Sequence, residues 1–162
     1  MTDPQEYRSA VARFATGVTV VTVPGRHPHA MTANAVASVS LEPPTLLVCL
    51  EQDARVHDAA LEEGRLGVSV LAADQQPVAA WLATRGRPSL GQLDRVPHHS
   101  GPVLGVPLVD GALATFECEV VAAHPVATHT VVVAEVRGVG GDAPAADPLL
   151  WFASAYRGLS PG

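Results

Sequence analysis

One ten-residue stretch of this chain carries most of the groups suited to binding a ligand. The segment 31–40 presents the amide of Asn34 and the hydroxyls of Thr32, Ser38 and Ser40, at intervals of two or four residues. An extended backbone with such small side chains lets a planar heteroaromatic ligand approach the main chain without a fixed charge. The same pattern also describes a strand whose hydroxyls satisfy backbone groups or face water. Spacing alone leaves both interpretations open.

The groups that hydrolases and metal enzymes require are missing or badly placed. The chain has no G-x-S-x-G, H-E-x-x-H or C-x-x-C motif. Adjacent carboxylates at Glu62 and Glu63 would diverge on a helix, so they cannot act as an acid–base pair. The histidines of 27–29 and 98–99 lie in turns without a nearby cysteine or carboxylate cluster. We therefore expect solvated loop histidines and no metal site.

The charge inventory excludes further classes of protein. All ten basic residues are arginine, which rules out Schiff-base lysines and the lysine of a phosphate-binding P-loop. The net charge of −6 is spread along the chain, so we expect no nucleic-acid partner. No apolar run approaches the roughly 20 residues of a membrane helix, and the first residues do not resemble a signal peptide. These features predict a cytoplasmic protein with no membrane partner.

Length and hydropathy predict the number of domains and whether the chain forms an oligomer. A chain of 162 residues is expected to form a single domain over 1–162. With 48% hydrophobic and only 16% charged residues, it is expected to bury apolar surface beyond its own core, most simply in an oligomer. Cys49 and Cys118 lie in apolar runs, so we expect two buried thiols.

Periodicity predicts three short helices, each preceded by an aspartate that caps it. Asp3, Asp53 and Asp74 are the three expected caps. The helices are expected at 4–15, at 54–63 with Gly64 ending it, and around Val78, Trp81 and Leu82.

Six or seven strands account for most of the remaining chain. Turn signals at regular intervals are typical of an all-β barrel, and no G-x-G-x-x-G motif follows a strand. Residues 85–109 show little periodicity and are expected to form a long surface excursion. The strands are expected at 16–23, 30–40, 45–50, 66–71, 112–121, 130–139 and 149–152.

Several segments match one protein family in their order and spacing. They are Phe14–Thr22, Met31–Leu50 with its Ser-Leu-Glu-Pro-Pro, Gly67–Leu71, Ala112–Cys118, His129, Leu149–Phe152 and Tyr156-Arg157. With these segments the chain resembles the flavin reductase-like, FMN-binding split-barrel family, the small reductase components of two-component flavin monooxygenases. The resemblance extends from about Tyr7 to Leu159.

This resemblance implies an all-β fold with short helices, a six-stranded antiparallel Greek-key split barrel that is usually a homodimer. It implies an NAD(P)H-dependent flavin reductase, which passes a hydride from NADH or NADPH to FMN or FAD. The reduced flavin would then diffuse to a partner monooxygenase. The sequence does not decide between the two flavins or between the two nicotinamides.

The resemblance also assigns roles to individual residues. The flavin ring and ribityl chain would lie against a set on the first half of the chain. Arg55 would contact the phosphate, His129 the nicotinamide, and Tyr156 and Arg157 would border the same pocket. The cofactor-binding set is Thr32, Ala33, Asn34, Ser38, Val39 and Ser40, with Thr16 and Gly17 nearby.

Three segments depart from the family pattern. Asp53 would oppose a phosphate at short range. Ala127-Thr128-His129 stands where relatives carry Gly-Asp-His, and 87–90 lacks their basic–aromatic pair. Two alternatives to the reductase therefore stay open. One is a flavin-binding protein without turnover, and the other is an oxidoreductase that keeps its flavin as a prosthetic group.

Overall fold

The computed structural model of the chain describes residues 1–141 and 146–159. Over these residues it is rich in antiparallel strands, with three short α-helices. In the same part of the chain, no helix has the length and apolar character to cross a membrane. The helices are α1 Pro4–Val11, α2 Arg55–Glu63 and α3 Gln76–Ala83. The strands are β1 Thr16–Gly17, β2 Thr19–Val23, β3 His29–Ala33, β4 Val36–Leu41, β5 Pro44–Glu51, β6 Arg65–Val70, β7 His98–Ser100, β8 Pro107–Val109, β9 Ala114–Val126, β10 His129–Gly140, β11 Leu150–Phe152 and β12 Ala155–Arg157.

The main sheet is curled so that its two edges meet. Its strand order is β3-β2-β6-β9-β10-β5-β4, which places β3 and β4 at opposite edges. Only Asn34 and Ala35 separate these two strands along the chain. The Ala35 carbonyl accepts a hydrogen bond from the Cys49 N–H at 2.9 Å, which ties the bend to β5. A two-residue link between opposite edges requires a closed or nearly closed sheet.

Counted as one bent strand, β3 and β4 give the main sheet six strands. Around the barrel, this bent strand is followed by β5, β10, β9, β6 and β2, with all paired neighbours antiparallel. In chain order, β2, the bent strand and β5 lie side by side. The next three strands, β6, β9 and β10, are arranged in the reverse direction, so that β10 rather than β6 pairs with β5, as in a Greek key. This confirms the β-rich antiparallel fold expected from the sequence.

The barrel interior is filled by alternate residues of its strands. Val21, Val48, Leu66, Cys118 and Val132 belong to one buried cluster. Two residues of α2, Val56 and Ala60, pack against the same cluster, so this helix covers the interior. Burial raises the pKa of the Cys118 thiol to about 12, which keeps it protonated and unreactive.

A second buried cluster lies outside the barrel and corrects one expectation. Residues 85–109 are not a surface excursion, because Leu93, Val96 and Val109 pack with α3 against Val18 and Val20. Every residue of β2 is consequently buried. Loop composition hid this packing, since the apolar residues of the segment follow neither a helical nor a strand period.

The expected caps are confirmed at one helix and wrong at the other two. The Asp3 side chain accepts from the Gln5 N–H at 2.9 Å and caps α1, which ends at Val11 rather than at 15. Asp53 does not cap α2, because Ala54 occupies the N-cap position and no side chain bonds there. Asp74 lies inside a 3₁₀ turn before α3, where the Gln75 side chain accepts from the Ala72 N–H at 3.0 Å instead.

Several strand boundaries also differ from those expected. The run 16–23 divides into β1 and β2, the run 30–40 divides at the barrel bend, and β9 continues to Val126. Gly64 ends α2 in the left-handed region at φ 66°, as expected. Cys49 is only half-buried, because it lies on the outer face of β5, and it is not the fully buried thiol expected.

A small second sheet flanks the barrel. It has the order β1-β11-β12, with Thr16 opposite Trp151 and Gly17 opposite Leu150. Because β1 leads directly into β2, this sheet connects the C-terminal strands to the barrel near its bend. A two-stranded ribbon of β7 and β8 forms a third sheet, and β8 packs against β2 and β6 of the barrel.

Gly67 is a sensitive position in the barrel. A Cβ there would lie 2.5 Å from the Thr22 hydroxyl and 2.7 Å from the Pro107 carbonyl oxygen. We predict that Gly67→Ala lowers the free energy of unfolding by about 1–3 kcal/mol through overpacking. Urea denaturation followed by circular dichroism measures this, with Gly158→Ala as the control because nothing lies within 4 Å there. Equal midpoints for the two variants would contradict the described packing.

Candidate active site

The barrel bend places the polar segment 31–40 in three different surroundings. Ala33 is buried at the end of β3, and its carbonyl accepts from the Thr19 hydroxyl at 2.7 Å. The exposed Asn34 amide donates to the Thr16 hydroxyl at 3.2 Å. Ser38, Val39 and Ser40 follow on β4, at the edge of the sheet. The segment therefore presents both side-chain and backbone groups around the bend.

A β-bulge interrupts the pairing of β4 with β5. Ser38 is paired with Leu46 and Ser40 with Thr45, so Val39 is the extra residue. A bulge leaves its extra residue unpaired in the ladder. Val39 is 53% exposed, so the bulge lies at the surface, where a ligand can approach it. This geometry suits a backbone contact to a carbonyl oxygen.

Four of the predicted site residues meet in the small sheet. Thr16 and Gly17 form β1, and Tyr156 and Arg157 lie on β12. The intervening β11 brings Trp151 into an edge-to-face contact with Tyr156, with ring centroids 4.9 Å apart. Burial raises the pKa of the Tyr156 phenol, so this hydroxyl stays protonated. Together with Asn34, this group forms one side of the candidate site.

A groove of about 460 Å³ lies between β3, the start of α2 and the end of α3. Thr32 and Arg55 are the two predicted site residues that line it. The Thr32 hydroxyl donates to the Ala79 carbonyl at 2.6 Å, which leaves only its acceptor capacity for a ligand. The charged residues on its wall are Glu51, Asp53, Arg55, Arg85 and Arg87.

Two neighbouring guanidinium groups make part of this groove positive. Arg55 Nη1 donates to the Arg87 carbonyl at 3.4 Å. Burial, and then repulsion from Arg55, lower the pKa of Arg87. In the described part of the chain, neither Arg55 nor Arg87 has a carboxylate oxygen within 4.0 Å, whereas Arg85 lies 3.5 Å from Glu51. Such an uncompensated pair favours an anionic group.

Arg87 and Gln92 hold the groove wall in place, and sequence reasoning missed both. Arg87 donates to the carbonyls of Leu82 and Thr84 at the end of α3, and to the Ala30 carbonyl at 2.9 Å. Gln92 Oε1 accepts from the Ala30 N–H at 3.0 Å. The N–H and the carbonyl of Ala30, on the edge strand β3, are thereby both hydrogen-bonded to side chains. A lone arginine and a glutamine in a proline-containing loop show no spacing pattern that would reveal this.

His129 lies beside the groove, at the first position of β10. It is directly opposite Glu51 of β5 in the strand register. Gln52 Nε2 donates to the His129 carbonyl at 3.0 Å, and the Thr128 hydroxyl lies 2.9 Å from His129 Nδ1. In the turn before it, Ala127 adopts φ 52°, a conformation that glycine adopts at lower cost.

A separate cavity of about 220 Å³ contains none of the predicted site residues. It lies at the opposite end of β10, against Gly138–Gly141. The Glu117 carboxylate, only 2% exposed, accepts there from the Val103 N–H at 3.1 Å. This buried acid secures the loop before β8 and has no connection to the groove.

Comparison with known proteins gives a consistent result. The flavin reductase like domain matches residues 11–160. An NADH-dependent flavin reductase from Rhodococcus sp is 39% identical over 160 residues, which cover 96% of this chain and 86% of that protein. BorF, the flavin reductase component of a bacterial two-component tryptophan halogenase, is 46% identical in its crystal structure, with a TM-score of 0.91 and coverage of 99% of this chain and 100% of BorF.

A third similar protein was solved with ligand fragments. SgcE6, an NADH:FAD oxidoreductase of Streptomyces globisporus C-1027 in complex with NAD and FAD fragments, is 35% identical, with a TM-score of 0.92. The match covers 99% of this chain and 97% of SgcE6. This chain therefore belongs to the flavin reductase-like family.

The groove wall yields a stability prediction. Arg87→Leu is expected to lower the free energy of unfolding by about 1–3 kcal/mol, because it leaves the Ala30 carbonyl and the end of α3 without their donor. Arg85→Leu is the matched control. Its side chain is 90% exposed and makes a surface ion pair, so a change within about 0.5 kcal/mol is expected. Denaturant unfolding of both variants measures the difference, and equal losses would contradict the structural role of Arg87.

Proposed function

We propose that the groove and the adjoining barrel bend form the flavin-binding site. Arg55 would hold the flavin phosphate, and the polar segment around Asn34 would contact the ring. The Val39 N–H at the bulge would face the ring oxygen where negative charge develops on reduction. The observation that carries this proposal is the uncompensated positive charge of Arg55 and Arg87.

The chain is an NAD(P)H-dependent flavin reductase. When both cofactors are bound, the chemistry is hydride transfer from the nicotinamide to the flavin. The protein's part would be to hold both cofactors close together, to exclude water and to stabilise charge. This role needs no acid–base dyad, which agrees with the absence of such a motif from the sequence. We take NADH as the substrate, because the Rhodococcus and Streptomyces reductases compared above are both described as using NADH.

His129 is our candidate for the nicotinamide contact. It lies beside the groove, opposite the groove residue Glu51 in the strand register, and the Thr128 hydroxyl contacts its ring. The Thr128 position holds no carboxylate, so a hydroxyl replaces the aspartate of the resembling family. The contact would orient the nicotinamide without a change in protonation.

The outer face of the barrel supports a homodimer. Leu47 and Cys49 of β5 lie opposite Val133 and Val131 of β10, and all four are only half-buried. An apolar patch on paired strands is typical of an interface between subunits. We propose that a second copy covers this face and that reduced flavin then diffuses to a partner monooxygenase or halogenase. Single-domain organisation and a cytoplasmic location stay predictions.

An anaerobic titration tests the function. The purified protein is mixed with excess FMN or FAD, NADH or NADPH is added, and flavin absorption near ~450 nm is followed. Repeated turnover supports a reductase that releases its flavin. Bleaching of one equivalent indicates a prosthetic flavin, and bound flavin without bleaching indicates a binding protein without turnover. Either of these two results would overturn the proposal.

Arg55→Ala tests the phosphate contact. We expect an affinity for FMN that is about tenfold weaker, because a charge-assisted hydrogen bond is lost, while riboflavin binds as before. Fluorescence titration with both flavins measures the change. Arg26→Ala, an exposed arginine outside the groove, is the control. An equal loss for riboflavin would show that Arg55 acts on the fold rather than on the phosphate.

His129→Ala tests the nicotinamide contact. The KM for NADH is expected to rise about tenfold, which corresponds to the loss of one hydrogen bond, while the flavin Kd stays near its original value. Steady-state kinetics with saturating flavin measure this, with the exposed His124→Ala on the same hairpin as the control. An unchanged KM would exclude His129 from the site.

A further inference from the structure

His57 connects α2, the helix that carries Arg55, to β10, the strand that carries His129. Its ring lies on α2 with the side chain 12% exposed. Nδ1 is 2.8 Å from a carboxylate oxygen of Asp58, and Nε2 is 2.9 Å from the hydroxyl of Thr130. Thr130 is buried on β10. One imidazole therefore connects a helix to a strand through two short contacts.

The chemistry of these partners fixes the arrangement of protons in the neutral ring. A carboxylate accepts hydrogen bonds, so Nδ1 carries the proton and donates to Asp58. Nε2 then accepts, and the Thr130 hydroxyl donates to it. The contact is directional, and valine, which has nearly the same shape as threonine, cannot form it.

Each end of this connection carries a residue of the proposed site. Arg55 lies two residues before His57, in the first turn of α2. His129 lies immediately before Thr130, on the opposite face of β10. Gln52 adds two further contacts to the same turn, from its side chain to the His129 carbonyl and from its N–H to the Thr128 carbonyl, both at 3.0 Å. These contacts tie the turn before β10 to the segment that leads into α2 and to α2 itself.

We propose that His57 is a positioning residue that fixes the separation between Arg55 and His129, and thus between the bound flavin and the nicotinamide. The inference rests on the function proposed above. Hydride transfer requires the reacting atoms to lie within about 3–3.5 Å, so a small displacement of one ring lowers the rate steeply. Binding of each cofactor on its own depends much less on this separation.

Thr130→Val is the decisive variant, because it removes the hydroxyl and keeps the shape. We expect the rate of flavin reduction by saturating NADH in anaerobic stopped-flow to fall about tenfold, whereas the Kd for FMN changes less than about twofold. Thr130→Ser restores the hydroxyl and should restore the rate. Ser69→Ala is the matched control, since it removes another buried hydroxyl, which accepts from the Val109 N–H at 3.0 Å.

A second pair of variants tests His57, the other partner in the hydrogen bond to Thr130. His57→Leu should slow reduction as Thr130→Val does, and His57→Gln, whose amide can reach Thr130, should recover part of the rate. The double variant His57→Leu, Thr130→Val should be no slower than either single variant, because both remove the same interaction.

Several outcomes would overturn the inference. These are a Thr130→Val rate equal to that of the unaltered protein, an equally slow Thr130→Ser, an equal loss in Ser69→Ala, or additive losses in the double variant. The test of the proposed function is separate. If His129→Ala leaves the KM for NADH unchanged, the function assigned to His129 fails. If that KM rises while Thr130→Val has no effect, only the positioning role of His57 fails.

Discussion

The whole site depends on the turn of the chain from one edge of the sheet to the other within two residues. Asn34 and Ala35 make this turn. They link β3 and β4, the two edge strands of the main sheet, and so close the barrel. The same bend brings the end of β3, the bulge of β4 and the small sheet of β1, β11 and β12 together. The same two-residue link therefore closes the barrel and brings these parts of the site together, and its small side chains suit both roles.

Charge, rather than acid–base chemistry, distinguishes the groove. Arg87 serves the fold by capping α3 and holding the edge of β3, and its half-buried charge reinforces that of Arg55. A cofactor that brings its own redox chemistry needs such a site, with an anion-binding end and a surface for stacking. The opposing carboxylates Glu51 and Asp53 lie on the same wall, and Glu51 is partly neutralised by Arg85.

Local sequence patterns correctly predicted those features that depend on residues close together in the chain. The cap at Asp3, the end of α2 at Gly64 and most strands follow from propensity and spacing, and the family resemblance supplied the barrel topology. The caps expected at Asp53 and Asp74 were wrong because the chain entered each helix one or more residues later. Arg87 and Gln92 could not be found in this way, because their bonds to Ala30 span 57 and 62 residues. His57 was missed for the same reason, since its partner Thr130 is 73 residues distant.

A crystal structure of the protein with FMN or FAD bound tests the central claim most directly. We expect a phosphate oxygen of the flavin at about 2.7–3.2 Å from the Arg55 guanidinium, with the ring against the barrel bend and a ring oxygen facing the Val39 N–H. A flavin lying in the cavity beside Glu117, or one whose phosphate points away from Arg55, would contradict it.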